Sequence, residues 1–536
     1  MQVLRELNFG RRVAEEEVDE LAAYFVETDQ WRQVIGGEVD VIFGPKGAGK
    51  SAIYGTLLAR EEALFGGKVL LLSAENPRGT PAFKDLVNDP PTTEQEFLSL
   101  WKLYILSLLA SEFSDYGFIG SAASAVQTAL AAEGLLPAKN VPLRGRLKLV
   151  LDWVRKSLAR GSSLEGSLSL DPSTGTPSVT AKITLAEPSP IQRNAGALSV
   201  DSLISYAAQA LQDNELTVWL LFDRLDIAFS ESRELEANGL RALFKCYLDL
   251  LDLKEIRLKI FLRTDIWKSI TLAGFREASH ITRQITISWP NSSLLNLVVR
   301  RLVKNESLVQ YLNVEEQTVL QDVDVQRATF DRLVPDQIDV GNNPRTFEWI
   351  LGRVQDGSGN AAPREVIHLL TEARNIQLQM GERGEGLPGD ERLFDRQAFR
   401  QALGPVSTVR LEQTLYAEYP ELRAQVSGLE SEKTEHTIGT LCAIWGSSPE
   451  ETRSVAQRLV DIGFFEQRGT KAEPRFWVPF LYRPGLSMVQ GSATLAAVDA
   501  NTPIRASVRM DGLPVAGRTS RLAGPTAVEP GCEFHG

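Results

Sequence analysis

Two hydrophobic rhythms alternate along the first 290 residues. Short, almost unbroken apolar runs mark strands buried on both faces, and longer segments with apolar positions every three or four residues mark amphipathic helices. Residues 39–43 (VDVIF), 68–73 (KVLLLS), 217–222 (TVWLLF), 258–263 (LKIFLR) and 284–288 (QITIS) predict five strands. Helix-patterned chain lies between them, so the expected class is α/β, a parallel sheet flanked by helices. The spacing from Lys50 to Asp223, 173 positions, far exceeds what a βαβ unit needs and predicts an insertion at about 77–200. Within it, 94–111 and 121–132 read as helices, while 164–170 and 178–185 alternate in period two around DPSTG at 171–175, the pattern of a projecting β-hairpin.

Beyond the sheet, 292–312 predicts one helix carrying Arg300 and Arg301, and Pro363 sits at the first position of another. Residues 381–389 (GERGEGLPG) form a linker by composition. Ser448, Pro449 and Glu451 make a capping box opening a helix over 450–462; Gly463 stops it, and two short strands follow around Gly469. Helix, strand, turn and strand in this order predict a winged-helix module. Residues 491–536 have no sustained periodicity and read as a disordered tail. The expected division is therefore 1–36, a helical linker; 37–290, the core with its insertion; 291–380, a helical lid; 390–490, the winged helix; and the tail.

Composition narrows the function classes. With 536 residues, 43% hydrophobic and 24% charged, the chain has the balance of a globular protein of several domains, not of a disordered, collagenous or rod-like one. No run approaches the roughly 18 consecutive apolar residues of a membrane span, and residues 1–10 lack a signal-peptide core, so no membrane partner and a cytoplasmic address are expected. Cys246, Cys442 and Cys532 are scattered, and the four histidines lie near none of them, so neither a disulfide framework nor a zinc site is indicated. The net charge of −12 disfavours coating nucleic acid with the whole surface. Residues 139–160 nevertheless concentrate Lys139, Arg144, Arg146, Lys148, Arg155, Lys156 and Arg160 against one acid, Asp152. This run is a candidate contact for nucleic acid or an acidic partner, or equally a solvated face over an apolar stripe. In the winged helix, Arg453, Arg458, Arg468 and Lys471 are the corresponding candidates, with a protein–protein or autoinhibitory module as the alternative.

The candidate chemistry lies after the first strand. Gly44, Pro45, Lys46, Gly47, Ala48, Gly49, Lys50 and Ser51, with Ala52 following, satisfy G-x-x-x-x-G-K-[ST] between a strand and a helix. The glycines let backbone N–H groups close on phosphate oxygens, Lys50 supplies a point charge, and the Ser51 hydroxyl is placed for Mg²⁺. The third strand ends in Asp223, Arg224, Leu225 and Asp226. A carboxylate at that end faces the nucleotide crevice, so Asp223 is the expected second magnesium residue. Arg224 stands where a water-activating glutamate would follow, leaving Asp226 as the nearest acid for that role, or as a helix cap. Arg263 and Thr264 close the fourth strand, where either could sense a γ-phosphate or simply form a salt bridge.

With Asn8-Phe9-Gly10 at the start, these boxes resemble AAA+/STAND-type P-loop ATPases, and among them a bacterial ATPase family found among anti-phage defence genes. The resemblance covers roughly 1–490 and implies ATP and Mg²⁺, sheet order 5-1-4-3-2, and an oligomer regulating or assembling a separate effector. It places sensor 1 on Arg263 or Thr264, sensor 2 on Arg364 in preference to Arg345, and the arginine finger acting in trans on Arg276 or Arg283. A DNA-remodelling motor or helicase loader, and a non-hydrolysing nucleotide-binding scaffold, are the alternative functions.

Overall fold

The computed structural model describes residues 1–11, 24–75, 91, 93–136, 141–159, 169–170, 177–178, 183–194, 196–225, 232–389 and 392–493. Strands β1 (Val41–Gly44), β2 (Val69–Ser73), β3 (Thr217–Phe222), β4 (Ile256–Arg263) and β5 (Gln284–Thr286) form one sheet in the spatial order β5-β1-β4-β3-β2. Every pairing is parallel, so all carboxyl ends share one edge. This is the expected order. Gly44 pairs in register with Arg263, and Phe222 with Ile260, which brings the phosphate loop, Arg263 and Asp223 to that edge together.

Both faces of the sheet are covered, which is why its strands read as continuous apolar runs. One face packs on α2 (Glu94–Asp115), α3 (Ser121–Ala132), α4 (Leu143–Ala159), α5 (Val200–Asp213) and α6 (Arg233–Leu250) around Trp101, Tyr104 and Phe222. The other packs on α1 (Lys50–Ala59) and the helix Asp29–Ile35, with Trp31, Leu57 and Phe261 at its centre. Helix α2 is long and apolar enough to cross a membrane, yet 78% of that stretch is buried inside the protein.

In the insertion Ser169–Leu170 pairs antiparallel with Pro177–Ser178, as in the expected hairpin, and Ile183–Thr184 pairs parallel with Leu198–Ser199, a pairing that was not expected; 164–168, 171–176 and 179–182 lie outside the described residues. Alternation sets which face of a strand is apolar; it does not choose the partner. Two arginines of the basic run serve internal contacts: Arg146 donates to Ser111 Oγ and to the carbonyl of Val141, and Arg155 bonds Glu96 at 3.0 Å. Lys139 and Arg160 lie outside the described residues.

A second difference falls at 292–312, which is two helices, α7 (Asn291–Val303) and α8 (Glu306–Leu312). The Asn305 amide donates to the carbonyls of Arg301 and Leu302, ending α7 from the side, and also to the carbonyl of Asn8. Helical periodicity continues through such a side-chain cap, so the break is invisible to pattern alone.

The helical lid continues through Thr346–Val354 to α9 (Pro363–Glu382), which packs on α10 (Arg396–Arg410). The winged helix comprises β6 (Lys433–Thr437), α11 (Ile438–Trp445), α12 (Pro449–Asp461), β7 (Glu466–Gly469), β8 (Pro474–Trp477) and β9 (Val489–Ser492), with sheet order β7-β8-β6-β9. The Ser448–Glu451 capping box is present, and Gly469 takes the positive φ of 80° needed at the wing turn. Strand β9 runs to Ser492, past the start expected for the tail; 494–536 lie outside the described residues. Lid, winged helix and the N-terminal residues Leu4, Leu7 and Phe9 share one continuous apolar core.

At the amino edge of the sheet, far from the phosphate loop, Lys259 and Asp40 are both fully buried and pair at 3.0 Å; Arg283 bonds the other oxygen of Asp40 at 2.6 Å. Arg283 is thus a structural clamp. Removing one charge from a buried cluster leaves the others uncompensated, so Asp40→Asn is expected to cost about 3–5 kcal/mol in urea unfolding without weakening nucleotide binding.

Candidate functional site

A cavity of about 260 Å³ opens at the carboxyl edge of the sheet. Its floor is the phosphate loop. Gly47 and Gly49 hold φ of 84° and 97°, the left-handed region that bends the chain so that successive amides converge before α1 starts at Lys50. Lys50 Nζ donates to the carbonyls of Gly44 at 2.9 Å and Pro45 at 3.2 Å, which holds its charge over the loop. Trp289, just after β5, donates from its indole to the Ala48 carbonyl at 2.8 Å and supports the loop from the side.

Opposite the loop, Asp223 is buried, and its Oδ2 accepts from Ser51 Oγ at 3.3 Å. The pair fits a magnesium ion, which takes a hydroxyl, a carboxylate, waters and phosphate oxygens rather than an all-protein cage. Among the described residues there is no cluster of three or more His, Cys, Asp or Glu side chains suited to a metal. Arg224 follows with φ of 57°, a left-handed conformation rare for a side chain of its size, and it lines the cavity. Asp226 lies outside the described residues.

The lid closes one wall. Arg364, on the first turn of α9, lines the cavity, and a Cβ built on Gly47 would meet the Arg364 Cβ at 3.1 Å, so lid and loop touch here. Arg345 instead pairs with Asp331 at 3.4 Å and does not line the cavity. Arg276 is exposed on a turn, away from the cavity wall. Thr264 Oγ1 is buried without a hydrogen-bond partner and does not line the cavity.

Arg263 does line it, in an unexpected setting. Its guanidinium takes Asp265 through two bonds, of 3.1 and 2.8 Å, the Tyr419 hydroxyl at 2.9 Å, and the carboxylate of Glu418. Glu418 also pairs with Lys46 of the phosphate loop. Burial raises the Glu418 carboxyl, but the charges of Arg263 and Lys46 overcome this and hold it below the ordinary carboxylate value. Asp265 is likewise lowered, burial being outweighed by Arg263 and by bonds from Arg263 and Tyr419. Burial and the neighbouring Asp265 charge push the Tyr419 phenol well up.

Glu418 and Tyr419 come from the segment joining the lid to the winged helix, and sequence reasoning passed over them because nothing in YAEYP at 416–420 marks a site. Arg301 was noted only as part of a helix; it lines the cavity, lies 4.6 Å over the Tyr24 ring and donates to the Phe9 carbonyl at 2.8 Å. An intrahelical arginine at helical spacing has no signature distinguishing it from a surface one.

No family model matches this chain, and no curated protein matches its sequence. Among solved structures, the Aeropyrum pernix ORC1 protein in complex with DNA aligns at 10% identity over 89% of this chain and 96% of its own, with a TM-score of 0.34. The Aeropyrum pernix ORC2 protein, solved as ADPNP-ADP complexes, aligns at 12% identity over 88% and 92%, TM-score 0.36. Cdc6p from Pyrobaculum aerophilum aligns at 12% identity over 85% and 91%, TM-score 0.25. The likeness is loose, and the fold rests on the strand order and loop geometry above.

Two outcomes follow from the geometry. Gly47→Ala would force a methyl into a left-handed position against Arg364, and is expected to lower stability by about 1–2 kcal/mol in urea unfolding. For both Glu418 and Asp265 the folded pKa lies below the unfolded one. The stability they add is therefore complete above the ordinary carboxyl range and lost as pH falls through the lowered values. Hydrogen exchange over 411–422 should stay slow from pH 7 to about 4.5 and rise below that, after correction for intrinsic rates.

Proposed function

We propose that this chain is a magnesium-dependent ATPase whose nucleotide state positions the combined lid and winged-helix body. The observation that carries the reading is Ser51 Oγ lying 3.3 Å from Asp223 Oδ2 at the mouth of a glycine-bent loop that opens a helix. Loop amides from Gly44 to Ser51 and the N-terminus of α1 bind the phosphates, with Lys50 at the β/γ oxygens. Magnesium, held by Ser51 and Asp223, supplies charge neutralisation at those oxygens. Arg263 and Arg364 stabilise charge developing on the γ-phosphoryl group, and Arg276 of a neighbouring copy completes the site in a homo-oligomer. Asp226 orients the attacking water.

Among the described residues lining the cavity, Asp223 and Glu418 carry the carboxylates, and Arg224 follows Asp223 directly. The output is regulatory: control or assembly of a separate effector, set in bacterial anti-phage defence by the resemblance of the motif residues alone. The alternative, a DNA-acting role, rests on Arg453, Arg458, Arg468 and Lys471 of the winged helix, of which Arg458 pairs with Glu421 and Arg468 with Glu466.

Phosphate release should require magnesium and vanish in Lys50→Ala with nucleotide binding lost. Asp223→Asn should retain nucleotide while release falls about 10²-fold or more. Light scattering should show a larger assembly with ATP and magnesium than without. Equal release from wild type and Lys50→Ala would sink the reading, and steep stimulation by DNA that fades with salt would favour the remodelling alternative.

A further inference from the structure

Glu418 is a carboxylate placed among the cations of a phosphate site. It reaches Lys46, inside the loop, and Arg263, at the tip of β4, and both line the cavity in front of Lys50. These are the charges that a terminal phosphate would need. Tyr419 adds to the arrangement by accepting from Arg263 and donating to Asp265, so five side chains from two bodies close one network.

The backbone that delivers Glu418 is unusual. Helix α10 ends in a π-helical turn, Leu411–Leu415, followed by the short turn Tyr416–Glu418 and by Pro420. A π turn inserts extra backbone into a helix, is rare and is often found at functional sites, and Pro420 stops the helix after Tyr419. The same body is tied to the lid by Arg410, at the end of α10, which pairs with buried Glu365 at 2.8 Å beside Arg364.

We infer that Glu418 is a discriminating residue of the nucleotide site: its carboxylate and a terminal phosphate compete for Lys46 and Arg263, so a nucleoside triphosphate displaces it whereas a nucleoside diphosphate leaves it in place. The inference rests on the ATPase reading of this cavity and adds the means by which phosphate number is reported. A diphosphate fills the amide cradle and leaves the bridge from sheet to C-terminal body intact. A triphosphate brings a second anion to the same two cations, and like-charge repulsion drives Glu418 out. Because Tyr416 and Tyr419 on either side of Glu418, α10 and the winged helix share one apolar core with the lid, that local exclusion acts on a whole body rather than a loop.

The test uses the full chain and calorimetric titration with magnesium and either ADP or a non-hydrolysable ATP analogue. Glu418→Gln keeps the shape and removes the charge, so it should tighten the triphosphate analogue by about tenfold and change ADP by no more than about twofold. Tyr419→Phe should move the ratio in the same direction by less. In wild type, the analogue should speed hydrogen exchange over 411–422, and ADP should not. This last measurement needs no variant and holds if Glu418→Gln folds poorly. Equal changes for the two nucleotides, or exchange over 411–422 that is indifferent to both, overturn the inference while leaving the ATPase reading intact. Failure of wild type and Glu418→Gln alike to bind either nucleotide overturns both.

Discussion

Everything at the site depends on one alignment: parallel strands whose carboxyl ends finish at the same level. Because Gly44 and Arg263 are paired and Phe222 lies one strand further along, the loop, the cationic strand tip and Asp223 meet without any element being bent to reach the others. Parallel pairing makes every strand end on the same side, and because both faces are packed, slippage by one residue would exchange the side chains of the two faces and misfit both cores. The 3.3 Å approach of Ser51 to Asp223 is thus a property of the sheet, transmitted across 172 positions of chain.

The contacts that hold the molecule together differ in kind. The sheet is covered on both faces by apolar packing, and the lid, winged helix and N-terminal residues share another apolar core. At the cavity these two bodies meet through charge, in the network of Lys46, Arg263, Asp265, Glu418 and Tyr419, beside the close approach of Gly47 to Arg364 and beside Trp289, which packs against both cores. Apolar cores resist partial opening because any gap loses many contacts at once, whereas an ionic contact is exchanged for another ion with little rearrangement. A phosphate is such an ion.

Legibility from sequence tracked the range of the interaction. The phosphate loop was readable because its glycines, lysine and serine act within eight consecutive residues, and Asp223 because a buried strand announces its own end. The capping box at Ser448 and Glu451 and the wing turn at Gly469 are similarly local. Within the insertion, the parallel pairing of Ile183–Thr184 with Leu198–Ser199 left no mark in the sequence, since period-two alternation does not name a strand's partner. The single helix expected over 292–312 was broken by Asn305, whose side chain answers to Asn8 as well as to its own helix.

Local chemistry, then, determined from sequence that this chain carries a G-x-x-x-x-G-K-[ST] loop on a five-stranded parallel sheet, with a carboxylate, Asp223, at the tip of a neighbouring strand, and a helical lid and a winged helix behind them. Only the tertiary structure decided that Arg364 rather than Arg345 faces the loop, that Arg283 is tied to Asp40, and that Glu418 sits between Lys46 and Arg263. Those outcomes depend on which side chains distant segments present to one another, and periodicity carries no record of that. A glutamate at position 418 looks like any solvated acid until packing places two cations beside it.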